Sequence, residues 1–158
     1  MLLKIKEPNL KHTFPQANDV HKVIKYVDNK TYQYHETALR RVNMNFVRRQ
    51  DSYYKSAAIY LGLIERNQST SVANHIFKLD KNNMLVSLVQ LILENEIFYV
   101  YYKERNLAFV ENYLKNLYKM KNSTALRRAS TVKAWVNWCD CILKENNLTV
   151  GVGSDGSY

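Results

Sequence analysis

The segment Arg48-Arg49-Gln50-Asp51-Ser52-Tyr53-Tyr54-Lys55-Ser56-Ala57-Ala58-Ile59-Tyr60-Leu61-Gly62 carries its apolar residues on one side of a helix. Tyr53, Tyr54, Ala57, Ala58 and Leu61 recur at i, i+1, i+4, i+5 and i+8, the repeat of a single helical face. Arg48, Ser52, Lys55 and Ile59 fall on the opposite side, with Arg49 and Ser56 beside them. Gly62 stands where a helix can end in the left-handed conformation, which glycine adopts without steric cost. The segment therefore reads as a helix with one buried face and one basic, hydroxyl-bearing face.

Working outward toward the N-terminus, residues 1–15 show no helical period and read as an extended lead-in. Asn18-Asp19 caps a helix in which Val20, Val23, Ile24 and Val27 form the apolar side. Tyr32 to Asn43 holds a second helical pattern, with Ala38, Leu39 and Val42 apolar and Arg40 and Arg41 polar. After Gly62, Leu63-Ile64-Glu65-Arg66 and Asn74-His75-Ile76-Phe77-Lys78-Leu79 read as two short strands around the polar stretch Asn67 to Ser71. Three helices followed by a β-hairpin is the order of a winged helix-turn-helix. Beyond it, Asp80-Lys81-Asn82-Asn83 caps an apolar helix from Met84 to about Tyr102, and another helix runs from Glu104 or Leu107 to Lys119. Asn122-Ser123-Thr124 opens the last helix. Its apolar stripe is Ala125, Ala129, Val132, Val136, Cys139 and Leu143, widened by Trp135, Trp138 and Ile142. The expected architecture is mainly α, with tandem winged helix-turn-helix units and short β-hairpin wings. Residues 1–80 form the first unit with its lead-in, 81–145 a second helical, winged-helix-like unit, and 146–158 a flexible tail.

With 158 residues, 46% of them hydrophobic, the chain is long enough to bury a core. Its 23 Lys+Arg against 14 Asp+Glu give a net charge of +9, which favours a polyanionic partner. The start Met1-Leu2-Leu3-Lys4-Ile5-Lys6-Glu7 lacks the uninterrupted apolar run of a signal peptide, and no stretch reaches the roughly 18 apolar residues that span a bilayer. Cys139 and Cys141 are two apart on a helix and point in different directions, a poor geometry for a disulfide. Two reduced thiols in a cytoplasmic protein are the expectation.

Two segments resemble a known family. Arg49-Gln50-Asp51-Ser52-Tyr53-Tyr54 through Ala57-Ala58 to Leu61-Gly62-Leu63-Ile64-Glu65 is one. Ser123-Thr124-Ala125-Leu126-Arg127-Arg128-Ala129-Ser130-Thr131-Val132-Lys133-Ala134-Trp135-Val136-Asn137-Trp138 is the other. In this order they resemble winged-helix DNA-recognition modules attached to type II restriction endonucleases and related defence proteins, and Phe14-Pro15-Gln16-Ala17-Asn18-Asp19 resembles the opening of such a module. The resemblance spans residues 14 to 143. It implies sequence-specific binding to double-stranded DNA, with cleavage or methylation carried by a separate nuclease or methyltransferase subunit. The chain shows no Pro-Asp followed by an Asp/Glu-x-Lys triplet and no Cys/His cluster at ligand spacing, so no catalytic residue, metal or cofactor is assigned.

The candidate DNA contacts follow from helix position. In a helix-turn-helix the third helix enters the major groove. Arg48, Arg49, Ser52, Lys55 and Ser56 are its candidates, since arginine can pair bidentately with guanine and serine can meet bases or phosphates. Arg40 and Arg41 on the preceding helix fit the DNA backbone, and Arg66, Asn67 and Gln68 fit a wing tip. Arg127, Arg128, Ser130, Thr131 and Lys133 repeat the arrangement on the last helix. Tyr53, Tyr54, Tyr113, Trp135 and Trp138 read as core. His12, His21, His35 and His75 have no partner at ligand spacing. A winged-helix transcriptional regulator or phage-type DNA-binding protein needs the same surface as a restriction recognition part. A divergent nuclease, or a homodimerising interaction module using the helix from Met84 to Tyr102, are further alternatives.

Overall fold

The computed structural model describes residues 1–31 and 48–153, with side chains described for 1–28 and 52–153. Seven helices dominate the described residues, with two small two-stranded sheets. Strand β1 (Leu2–Leu3) opens the chain, and α1 (Val20–Thr31) follows an extended lead-in. Next come α2 (Arg48–Tyr60), a hairpin of β2 (Ile64–Glu65) and β3 (Gln68–Ser69), and the short α3 (Ser71–Ile76). Helices α4 (Lys81–Leu93), α5 (Glu96–Glu104), α6 (Leu107–Leu117) and α7 (Asn122–Glu145) complete the bundle, and β4 (Gly151–Val152) closes the described chain. The expected helix from Tyr32 to Asn43, which includes Arg40 and Arg41, lies outside the described residues.

Several helix ends fall where the sequence indicates, for identifiable reasons. Asp19 Oδ1 accepts the Lys22 amide at the start of α1. Gly62 takes φ 74° after α2, and the Leu63 amide returns to the Ala58 carbonyl at 2.9 Å. Asp80 and Asn106 accept amides at the starts of α4 and α6.

Three expectations are corrected. The hairpin is shorter than expected and Asn74–Leu79 is not its second strand. Arg66 and Asn67 both take positive φ, 51° and 63°, the requirement of a two-residue type I′ turn, so Ile64 pairs with Ser69 and Glu65 with Gln68. Thr70 then starts α3: its Oγ1 accepts the Ala73 amide and donates to the Gly62 carbonyl at 2.7 Å. Ala73 and Ile76, three apart, face the core. The second correction is the break in the expected helix from Met84 to Tyr102. The lead-in docks there: the Lys6 amide donates to the Glu94 carbonyl at 2.8 Å and the Lys4 amide to the buried Glu94 carboxylate at 2.7 Å. Asn95 Nδ2 turns back to the Leu91 carbonyl, and α5 starts afresh. The third concerns the tail. Through residue 153 it is tied down, since β4 runs parallel to β1 and Gly151 and Gly153 donate to Met1 and Leu3 carbonyls. Residues 154–158 lie outside the described residues.

The core is continuous across the expected boundary at residue 80. Its centre is aromatic. Phe14 from the lead-in stacks on Phe98 of α5 at 5.9 Å, and Phe98 stacks on Trp135 of α7 at 5.2 Å. Tyr60 of α2 and Tyr118 meet Phe14 edge-on at 5.4 and 5.3 Å. Arg105, in the left-handed conformation between α5 and α6, locks that turn to α7 through Asp140 at 2.6 Å.

Replacing Phe98, fully buried in this stack, by alanine is expected to cost about 3–5 kcal/mol. Phe109→Ala, at a side chain 47% exposed, should cost under about 1 kcal/mol. Urea-unfolding midpoints compare the two, and equal losses would contradict this description of the core.

Candidate nucleic-acid interface

Two helices with candidate DNA contacts, α2 and α7, dock on the same four residues of the lead-in. Trp135 Nε1 donates to the Ala17 carbonyl at 2.6 Å. Thr131 Oγ1 donates to Asn18 Oδ1 at 2.6 Å, and the Arg128 guanidinium donates to Gln16 Oε1. On the α2 side, burial and then the Asp19 carboxylate raise the pKa of the Tyr54 phenol, while a hydrogen bond with the Asp19 backbone partly offsets them. The turn of α2 that carries Tyr54 and the turns of α7 from Arg128 to Trp135 thus both meet this segment. The α1 helix flanks them, with His21 edge-on to Trp138 at 6.4 Å.

The candidate residues separate by environment. Arg127, Ser130 and Lys133 are exposed on α7, with Ser130 Oγ donating to the Leu126 carbonyl of its own helix. Ser52 on α2 is exposed, and Lys55 and Ser56 are half-buried. Arg48 and Arg49 lie on α2 with side chains outside the described residues, and Arg40 and Arg41 lie wholly outside them. Glu65, Arg66, Asn67 and Gln68 are exposed around the hairpin turn.

One α7 candidate is corrected, and a second is partly engaged within the protein. Thr131 has no exposed surface and spends its hydroxyl on Asn18, so it cannot touch a ligand. It lies one turn before Trp135, at the edge of the apolar stripe, whereas Ser130 falls on the exposed side with Leu126, Arg127 and Lys133. Arg128 is half-buried and bonded to Gln16, so it is first a tie between α7 and the lead-in. Sequence reasoning missed Gln16 and Asn18 as the residues that hold this face together. Their signal was present in the Phe14-to-Asp19 motif, but polar residues in an extended segment reveal no partner.

The remaining titratable groups form no centre. Among the described residues no group of three His, Cys, Asp or Glu side chains is placed to hold a metal ion. Cys139 is buried and Cys141 exposed, and both are free thiols. Burial, followed by the neighbouring Asp140 carboxylate, pushes the Cys139 thiol far above the ordinary cysteine range. Among the described residues no helix is long and apolar enough to cross a membrane.

A family model covers residues 20–144, most of the chain and nearly all of this face. The chain belongs to the DUF7226 family, a domain of unknown function. No curated protein matches this DUF7226 chain. No solved structure matches it either. The matched region begins at the first residue of α1 and ends one residue before the end of α7, so both helices of the candidate face lie inside the DUF7226 domain. The lead-in that joins them lies just outside it.

Thr131→Val in the DUF7226 chain removes one bond to Asn18 while keeping the side-chain shape. It should lower stability by about 1 kcal/mol, read as a shift in thermal unfolding; an unchanged transition would show that this bond contributes nothing net. A thiol-reactive chromophore should label one cysteine, Cys141, in the folded protein and both in denaturant. Rapid labelling of both thiols under native conditions would contradict the burial of Cys139.

Proposed function

We propose that the protein binds double-stranded DNA sequence-specifically. In this reading α1, α2 and the β2–β3 hairpin act as a winged helix-turn-helix, and α7 supplies a second DNA-facing helix in the following unit. The supporting observation is that α2, through Tyr54, and α7, through Arg128, Thr131 and Trp135, are fastened to one segment, Gln16 to Asp19. Each brings basic and hydroxyl side chains, and the chain as a whole carries a net charge of +9. A duplex displays a dense row of phosphates, and neutralising several of them releases counterions, which is the main source of affinity. Base-edge contacts then add discrimination. On the helices, Ser52, Lys55, Ser56, Arg127, Ser130 and Lys133 remain as contacts, with Arg40, Arg41, Arg48 and Arg49 as proposed from sequence.

The biological role that fits the sequence resemblance is target recognition in a restriction or defence system. Cutting or methylation would then reside on another polypeptide or domain. The same surface serves a transcriptional regulator equally well, and the biochemical claim, specific duplex binding, is common to both.

Selection of bound sequences from a random duplex pool tests the proposal. The recovered site should bind at least about 1,000-fold more tightly than random duplex at physiological salt. Its log affinity should fall linearly with log salt, and Arg127→Gln with Lys133→Gln should each reduce that slope by about 1. Equal affinity for every duplex, or no binding at low salt, would overturn it.

A further inference from the structure

We infer that Arg127 and Arg128 of α7 form a binding site for a single phosphate group. The argument starts from an imbalance at Arg128. Its guanidinium is half withdrawn from water and is held by Gln16, a neutral amide. Its Nε is buried and makes no hydrogen bond, and no carboxylate among the described residues pairs with it. Burial, and then the neighbouring Arg127 charge, push its pKa below the usual arginine range. A cation desolvated without a counter-charge is costly. Arg128 is thus kept in place by a neutral hydrogen bond, and among the described residues no carboxylate pairs with its charge.

Arg105 shows how the same fold treats an arginine used only for structure. Its Nη2 pairs with Asp140 at 2.6 Å, its Nε donates to the Tyr102 carbonyl at 3.1 Å, and it lies over the Tyr101 and Tyr102 rings. Nothing comparable balances Arg128. The adjacent residue supplies a second guanidinium rather than a carboxylate, and Arg127 is exposed. Two neighbouring guanidiniums offer more donors than one carboxylate can accept, whereas a phosphate has enough oxygens to bridge both. The platform is fixed beforehand, because Thr131 and Trp135, on the next turns of α7, are bonded to Asn18 and Ala17. A ligand therefore meets donors that need little ordering.

The phosphate can come from a duplex backbone or from free phosphate. The first source rests on the duplex-binding proposal; the site itself does not. The test uses the full chain labelled with nitrogen-15, following the arginine Nε–Hε signals. Inorganic phosphate and, separately, acetate are titrated at constant ionic strength, and duplex DNA is added afterwards. Saturable shifts of Arg127 and Arg128 with phosphate, and not with acetate, are expected, while Arg105 stays still. Arg127→Gln, at an exposed position, should weaken phosphate binding about tenfold or more without changing the unfolding transition. If duplex moves the same two signals and phosphate competes with it, the backbone is the source. If phosphate moves them and duplex does not bind, the anion site stands and the duplex proposal falls. Duplex binding with both signals unmoved by phosphate and by duplex would overturn the site and leave the duplex proposal intact. Equal shifts with acetate, or equal movement of Arg105, would also overturn it.

Discussion

The contact on which the rest of the structure depends is made by a residue outside every helix. Phe14 touches Tyr60 at the end of α2, Phe98 of α5 and Tyr118 after α6, and through Phe98 it reaches Trp135 of α7. Rings packed edge-on and stacked in this way add directional preference to the large area they bury. Three residues later the lead-in accepts the buried Trp135 indole N–H at the Ala17 carbonyl. An apolar anchor and a buried hydrogen bond within four residues fix both the position and the register of the segment. Everything that the candidate face does spatially follows, since α2 and α7 each take their place from that segment.

This arrangement explains why polar side chains on the lead-in matter more than their type suggests. The Gln16 and Asn18 side chains each reach a different α7 residue, Arg128 and Thr131, and Asp19 meets Tyr54 of α2 through its backbone. None is an ion pair of the kind seen between Arg105 and Asp140. Neutral ties hold α7 against the lead-in without cancelling the positive charge above them. A structural carboxylate at the Gln16 position would hold Arg128 as well, but it would neutralise the guanidinium. The same residues thus build a rigid junction and leave a field that attracts an anion.

Local sequence determined much of this, and its limits are physical. The stripe of α7, the Asp19 and Asp80 caps and the Gly62 terminator were legible because helix periodicity and capping act over a few residues. The split between α4 and α5 was not. Met84 to Tyr102 is helical by every local criterion, and the break depends on Lys4 and Lys6, about 90 residues away, bonding to Glu94. The α3 segment failed differently. Ile76, Lys78 and their neighbours alternate well enough for a strand, and only the tight Arg66-Asn67 turn shows that the hairpin closes before them. At the candidate face, composition indicated a basic helix, but Thr131 and Ser130 are neighbours of similar chemistry with opposite exposures. Thr131 sits one turn from Trp135 on the apolar side, and what it bonds there, Asn18, comes from a distant part of the chain.

That dependence bears on how a face of this kind could discriminate. On the proposed duplex reading, affinity comes from charges such as Arg127 and Lys133, which sit on exposed parts of α7 and need no fixed partner. Discrimination needs donors held at a set distance from one another, because base edges are read only when two or more contacts register together. The lead-in provides that spacing, since it clamps α2 and α7 to adjacent residues of an extended chain with almost no freedom to slide. Loosening Gln16 to Asp19 would therefore leave the charge of the face intact while blurring its geometry. Specificity and affinity would separate, with the first residing in neutral hydrogen bonds that touch no ligand at all.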